Sequence, residues 1–532
     1  MPSAPLWSLD ATALSGLLSR GEVSSREATQ ACLGRIEEHG KALGAFTEVF
    51  HQQALRDADA ADAARKRGEA RSALHGVPVS VKECFDLRGK ATTLGVPSRQ
   101  GSSAAEDAAL VTLVREAGGV VVGRTNLPQL LLSYESRNPI WGPVSNPWDL
   151  GRTPGGSSGG ESAALAAGCS FLGLGSDLGG SIRVPAHFTG TAGLKPTLDR
   201  WPARGCQTGI PGQEATRGMP GPMARTSRDV ALWMSAIDPV KASRLDGRVP
   251  PLPFGDPARV ELGRLRVGVV DCAAFFIAPS AAVQRAVDEA AGHLRGAGCE
   301  VVPFAAPEVV ETYALQAAAI SADGGAVLSR ALAGGPKDAV IQTLLRNFTL
   351  GALTRKLAAR LMRSGGDPKV AQVLEKLGRR PVEAFFSLTA ATRAARNRFL
   401  AAMAEEGLDL LLLPPFATPA PQHTTSKDCM PAGAYSLLFN VLQLPAGVAP
   451  VTCVRAGEEQ RAGTSRLERL AAAMDAGSAG LPVGVQLVGR PWEESAVLAA
   501  MIAVEDASRK APGFPVTPIA LAASRTASRP AR

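Results

Sequence analysis

With 532 residues, 45% of them hydrophobic, the chain has ample material for a core, either as several domains or as one large α/β unit; no shift in composition forces a split. Its net charge of +8 is spread through the sequence, which indicates a generally basic surface and speaks against a nucleic-acid footprint. No stretch approaches the roughly 18 uninterrupted apolar residues of a membrane span, and residues 1–7 have neither the charged nor the apolar region of an export signal, so a cytoplasmic location is expected.

Hydrophobic periodicity predicts helices over about 10–20, 24–39 and 48–67. The β-branched run Val77-Pro78-Val79-Ser80-Val81 then reads as a short strand that ends in Lys82. A lysine buried there is desolvated, which lowers its pKa and frees a neutral amine to act as a base. The competing fate is a lysine that extends its head to solvent. A helix near 106–117 and a strand at 119–123 follow, and a helix is predicted at about 159–168. Further on come a strand at 265–270, a helix at 280–296, a strand at 299–303, a long helix at 381–405 and the apolar run 408–413. Strands alternating with helices predict an α/β sheet protein. The polar, weakly patterned stretches at about 455–480 and after 518 read as disordered.

Two glycine-rich loops carry the chemistry. The first is Thr153-Pro154-Gly155-Gly156-Ser157-Ser158-Gly159-Gly160-Glu161, and the second is Gly175-Ser176-Asp177-Leu178-Gly179-Gly180-Ser181-Ile182-Arg183. Glycine lets backbone N–H groups approach a substrate oxygen, so such loops suit an oxyanion hole, and a serine in each suggests that one hydroxyl attacks while another relays its proton. Gly155-Gly156-Ser157-Ser158-Gly159 also fits the Gly-x-Ser-x-Gly nucleophile elbow of a Ser-His-Asp enzyme. An elbow needs an apolar strand before the serine, whereas residues 146–154 are loop-like and interrupted by two prolines. His423 is the main candidate partner for that rival. The eight cysteines form no Cys-x-x-Cys pair and have no neighbouring histidines, and neither a Walker loop nor a dinucleotide fingerprint occurs, so neither metal nor cofactor is expected.

Taken with Lys82, the two loops resemble the amidase signature family of serine hydrolases. Arg124-Thr125-Asn126-Leu127-Pro128-Gln129, Gly193-Leu194-Lys195-Pro196-Thr197 and Leu481-Pro482-Val483-Gly484-Val485-Gln486 extend the likeness over roughly 30–510. Tyr435-Ser436-Leu437-Leu438-Phe439-Asn440 is most similar to the fatty acid amide hydrolase branch. The resemblance implies an amidase signature fold, a mixed twisted central sheet covered by helices on both faces. It further implies a Ser-cisSer-Lys triad, with Ser181 as nucleophile, Ser157 as bridging serine after a cis peptide, and Lys82 as base. Backbone N–H groups of Leu178, Gly179, Gly180 and Ser181 would hold the oxyanion, and Leu131 falls at an acyl-pocket position. Asp177 and Arg183 are expected to anchor the loop by charge-assisted hydrogen bonds.

The expected organisation is one domain over 1–518, with N-terminal helices at about 8–67, a catalytic core at about 70–240 and a helical cap-like segment at about 310–405, then a disordered tail at 519–532. The expected partner is a small-molecule amide, without nucleic acid. The alternative reading is the glutamine-hydrolysing subunit of a tRNA-dependent amidotransferase. Residues 341–363 place Leu344, Leu345, Phe348, Leu353, Leu357 and Leu361 at helical spacing among basic residues. Such a helix suits peripheral membrane contact, and equally suits packing on the sheet. A homodimer is also compatible with the resemblance.

Overall fold

The computed structural model describes residues 4–519 and 521, except 429 and 464. In chain order the strands are β1 (Phe46–Val49), β2 (Pro78–Lys82), β3 (Val120–Thr125), β4 (Arg137–Asn138), β5 (Gly142–Pro143), β6 (Leu172–Asp177), β7 (Ala192–Lys195), β8 (Met219–Ala224), β9 (Arg266–Val270), β10 (Glu300–Phe304), β11 (Leu410–Leu413), β12 (Ala446–Cys453) and β13 (Pro482–Gly489). Eleven of them form one sheet in the order β1-β3-β2-β6-β8-β7-β12-β13-β11-β9-β10, and β4 and β5 pair separately. β2 runs parallel to β3 and β6, and β9 to β10 and β11. The remaining pairs in the sheet are antiparallel, so it is mixed, and helices flank it as an α/β fold.

Every residue of β2, β3 and β6 is buried, and β3 opens on the continuous apolar run Val120-Val121-Val122 that a strand covered on both faces allows. The parallel pairing has a direct consequence for the site: it sets Lys82, the last residue of β2, beside the carboxyl end of β6, where the second glycine loop begins. That edge is where open α/β sheets place ligands.

The helices Ala11–Ser19, Ser25–Leu43, His51–Lys66, Ala109–Glu116, Gly159–Ala166, Ala281–Gly296 and Val382–Glu405 lie where periodicity predicts them. Three expectations need correction. The 455–480 stretch is ordered in part: helix Arg466–Asp475 starts with a Ser465/Glu468 capping box and buries Leu467, Ala471 and Met474. Three apolar residues at helical spacing make one sufficient face, although the surrounding sequence is polar. The 341–363 helix is two helices, Ala339–Thr349 and Ala352–Ser364, because Gly351 is extended. The expected disorder from 519 does not hold at its start: Ile519 N–H donates to Ala166 O at 2.8 Å and Leu521 packs against a buried cluster. Residues 520 and 522–532 lie outside the described residues. No helix among the described residues is long and apolar enough to cross a membrane.

Candidate active site

Lys82 is fully buried at the end of β2. Its Nζ lies 2.7 Å from Ser157 Oγ, 2.8 Å from Ser158 Oγ, and 3.0 and 3.2 Å from Ser176 Oγ and O. Among the described residues no carboxylate touches the amine; burial pushes its pKa below the ordinary lysine value, against the weaker pull of the anionic forms of Cys84, Cys206, Asp177 and Glu161. A neutral amine has two N–H donors and one lone pair. Ser158 Oγ donates to Ser176 O at 3.3 Å, so it can only accept from the amine. The Ser157 and Ser176 hydroxyls therefore compete for the lone pair. Ser157 is nearer, and Ser176 Oγ has a second contact, Cys84 Sγ at 3.4 Å.

The first glycine loop delivers Ser157 through a cis Gly156–Ser157 peptide. A Cβ on Gly156 would lie 2.4 Å from Ser133 O and 2.9 Å from Glu135 N, so only glycine fits. Ser136 Oγ donates to Gly155 O at 3.0 Å and accepts from Gly159 N–H at 3.0 Å, which braces both flanks of the two serines.

The second loop is tied to the first by Ser158 N–H donating to Ser181 O at 3.0 Å. Ser157 and Ser181 line one cavity of about 540 Å³. Tyr134 OH donates to Gly179 O at 2.7 Å and Gln316 Nε2 to Leu178 O at 3.2 Å, which fixes both peptide planes. One of the four expected oxyanion donors is occupied, however: Gly180 N–H donates to Asp177 Oδ1 at 2.7 Å. The buried carboxylate needs those donors more than the cavity does. The N–H groups of Leu178, Gly179 and Ser181 have no acceptor among the described residues. Gly180 itself is required by its φ of +113° and by Ser436 Cβ, 2.7 Å from where a Cβ would stand.

Asp177 anchors this loop, as expected. Its carboxylate accepts from Arg183 Nε and Nη2 at 3.0 Å each, from Ile182 N–H and from Asn440 Nδ2, while Arg183 Nη1 reaches Gln486 Oε1. Burial alone would push the Asp177 carboxyl up; the Arg183 guanidinium and these donors outweigh it and hold the group well below the usual carboxylate range. With both side chains fully buried, removing either partner strands a charge at a cost of about 3 to 5 kcal/mol.

Leu131 reaches the cavity from a short turn, Gln129–Leu131, with a left-handed φ of +64°. His423, the rival base, is directed elsewhere: its Nδ1 is 3.2 Å from Glu135 Oε1, whose carboxylate also takes the Thr424 N–H. Nor does a strand lead directly into Ser157, since none lies between Pro143 and that residue. The sequence reading missed Ser158 and Ser176 as partners of the amine, and Tyr134, Gln316 and Asn440 as supports of the second loop. The serines carried a signal by standing beside the motif residues, and Asn440 by closing the Tyr435–Asn440 stretch; Tyr134 and Gln316 carried none.

The family model described as Amidase matches residues 27–498. Fatty acid amide hydrolase 1 of Caenorhabditis elegans is 34% identical over 509 residues, which cover 94% of this chain and 88% of that protein. A solved structure of a fatty acid amide hydrolase superposes with a TM-score of 0.81 at 27% identity, covering 94% of this chain and 85% of the other. A glutamyl-tRNA(Gln) amidotransferase component from Chromohalobacter salexigens is 44% identical, but over 226 residues that cover 42% of this chain and 46% of that one. The family match and the likeness to these relatives extend over nearly the whole chain, which thus belongs to the amidase signature family.

Proposed function

We propose that this amidase acts through an acyl-enzyme on Ser181, with Ser157 passing the proton to Lys82, and that its amide substrates, and esters handled by the same route, carry hydrophobic or fatty acyl groups. The observation that carries the reading is the 2.7 Å contact between the buried Lys82 amine and Ser157 Oγ on the cavity shared with Ser181. A serine hydroxyl is too weakly acidic to attack alone. As Ser181 attacks the carbonyl carbon, its proton goes to Ser157 and the Ser157 proton goes to the lone pair of Lys82. The tetrahedral oxyanion is held by the N–H groups of Leu178, Gly179 and Ser181, an effect of roughly 3 to 4 kcal/mol per well-aimed donor. Return of the proton through Ser157 expels the amine, and water then hydrolyses the ester of Ser181 by the same relay.

Leu131, Leu178, Ile210 and Met219 give the cavity an apolar wall, and its volume is within the range of small-molecule sites. Leu131→Ala is expected to lower kcat/KM for long-chain acyl amides by roughly tenfold while acetamide-type substrates change little. The check is a chain-length series with the purified chain alone. An equal loss at every length would make Leu131 a support of the fold instead of an acyl contact, and a requirement for a partner protein together with aminoacylated tRNA would favour the amidotransferase reading.

We also assign a membrane contact to helix Ala352–Ser364. Leu353, Leu357 and Leu361 are 84%, 63% and 67% exposed along one side, and Lys356 and Arg360 share the helix. Apolar residues left in water beside cations suit an anionic interface. Vesicles with anionic lipid should co-sediment the native chain, and Leu353→Glu with Leu357→Glu should abolish this. Equal and negligible sedimentation of both proteins would remove the membrane role and leave the hydrolase intact.

A further inference from the structure

Three side chains hold carbonyls of the second glycine loop, and each bond also fixes the N–H of the following residue, because carbonyl and N–H share one rigid plane and point opposite ways in a trans peptide. Asn440 Nδ2 donates to Asp177 O at 3.1 Å, Gln316 Nε2 to Leu178 O at 3.2 Å and Tyr134 OH to Gly179 O at 2.7 Å. The N–H groups on these planes have different fates. That of Gly180, behind Tyr134, is committed to Asp177 Oδ1. That of Leu178 stands behind Asn440, which also donates to Asp177 Oδ1 at 2.9 Å and so belongs to the anchor of the loop. That of Gly179, across the trans Leu178–Gly179 peptide, stands behind Gln316 and has no acceptor among the described residues. Gln316 is the only donor those residues offer to Leu178 O.

Gln316 comes from helix Val309–Ile320, 138 residues further along the chain, and is 4% exposed. It does not line the cavity, although Leu178 and Ser181 do. Among the buried residues of its helix only Thr312 and Gln316 are polar; the others are valine, leucine and alanine. Its Oε1 is buried as well and has no hydrogen-bond partner among the described residues. Turning the amide over would set Oε1 against Leu178 O, two acceptors with no proton between them, so the donor to that carbonyl is Nε2. A buried amide with its oxygen unpartnered costs stability, and an apolar residue at this place in the helix would pack without that cost. What the glutamine supplies is the bond to Leu178 O.

We propose that Gln316 is a positioning residue of the hydrolytic site, which aims the Gly179 N–H at the oxyanion and strengthens it as a donor. This role rests on the acyl-enzyme reading, since it needs an oxyanion at that N–H. As Ser181 Oγ bonds to the carbonyl carbon, the π pair of the carbonyl moves onto its oxygen and the Ser181 proton passes to Ser157. The new negative charge draws on the Gly179 N–H and shifts electron density through the peptide onto Leu178 O, where the Gln316 N–H meets it. The bond is therefore stronger in the transition state than with bound substrate, which is the condition for an effect on kcat and not on KM. The neighbouring donors keep their own supports: Asn440 behind the Leu178 N–H, and behind the Ser181 N–H the Gly180 carbonyl, which accepts from Val184 N–H at 2.7 Å. Loss of Gln316 thus weakens one donor and leaves the rest of the loop in place.

The test compares the full native chain with Gln316→Met, which keeps the length of the side chain without its donor, and with Gln316→Leu as a second apolar variant. The substrate is a long-chain acyl amide, and two competitors share its chain length. A trifluoromethyl ketone takes up Ser181 Oγ at its carbonyl carbon and so carries an oxyanion; a primary alcohol adds to nothing. In both variants kcat should fall roughly tenfold, KM and the inhibition constant of the alcohol should stay within about twofold, and inhibition by the ketone should weaken by the same factor as kcat/KM. Both should melt close to the native temperature, since the unpartnered Oε1 is gone. Native kcat and native ketone inhibition in either folded variant would overturn the proposal, as would a loss shared equally by ketone and alcohol. Failure of both variants to fold would make Gln316 a support of the helix packing and overturn it too. Were the native chain to hydrolyse no amide and form no ketone adduct on Ser181, the hydrolytic reading itself would fail and take this role with it, whereas normal hydrolysis by native chain and variants alike would remove the role of Gln316 alone.

Discussion

Ser181→Ala should abolish amide hydrolysis, with a loss on the order of 10⁴-fold or more, while the melting temperature stays close to that of the native chain. The two halves of this expectation have different physical sources. Among the described residues the Ser181 hydroxyl makes no hydrogen bond, so its removal strands no buried partner and leaves the fold intact. It is nevertheless the hydroxyl that follows directly on the N–H groups of Leu178 and Gly179, so the carbonyl it attacks can lay its oxygen among those donors. Ser157 Oγ is committed to Lys82 at 2.7 Å, and Ser158 Oγ lies between Lys82 and Ser176 O. An acyl or fluorophosphonate probe should accordingly modify Ser181 alone, as read by peptide mass. An adduct on Ser157 or Ser158, with Ser181→Ala still active, would move the nucleophile to the first glycine loop and sink the proposed relay.

Much of this site is legible without coordinates because its parts are local in sequence. The β-branched run before Lys82 is a strand, and a strand buried on both faces can carry a lysine at its end only into the interior. The glycines at 156 and 180 are required by contacts that a side chain would break, and such positions show as glycine in the sequence. What is not legible is non-local. Tyr134, Gln316, Asn440 and Gln486 reach the second loop from separate stretches of the chain, and no spacing in the sequence joins them. Several strands escape for another reason: β8 is Met-Pro-Gly-Pro-Met-Ala and β12 contains Gly447 and Pro450, residues that local propensity assigns to turns. β12 accommodates Pro450 beside a shift in register, where β13 no longer demands a regular ladder. The two helices within 339–364 are a comparable case, since the period of the leucines continues through Leu350 and Gly351 although the backbone does not.

Lys82→Met should lower the rate by on the order of 10³-fold and remove its dependence on pH. The sign follows from the group. Below its folded-state pKa the amine carries a proton and cannot take one from Ser157, so the native rate should climb about tenfold per pH unit and level off once the amine is neutral. Burial lowers that pKa, so the plateau should begin at lower pH than an exposed lysine would allow. Stability gives a second readout of the same proton. Between the lowered folded value and the ordinary value of the unfolded chain, the unfolded state holds a proton that the native state lacks, so stability rises with pH across that window. The cost of burying the charge is fully present below the folded value and gone above the unfolded one. Lys82→Met carries no such proton, so its unfolding free energy should lack this rise, and it should retain a folded chain at neutral pH because the methionine fills the same volume without a charge to desolvate. A rate controlled near pH 6.5 and abolished by His423→Ala would point to a histidine base, in contradiction to the contact of His423 with Glu135. If instead Lys82→Met kept the native profile and most of the rate, the amine would be a structural donor to three serines, and the base would have to be sought among the other groups on the cavity.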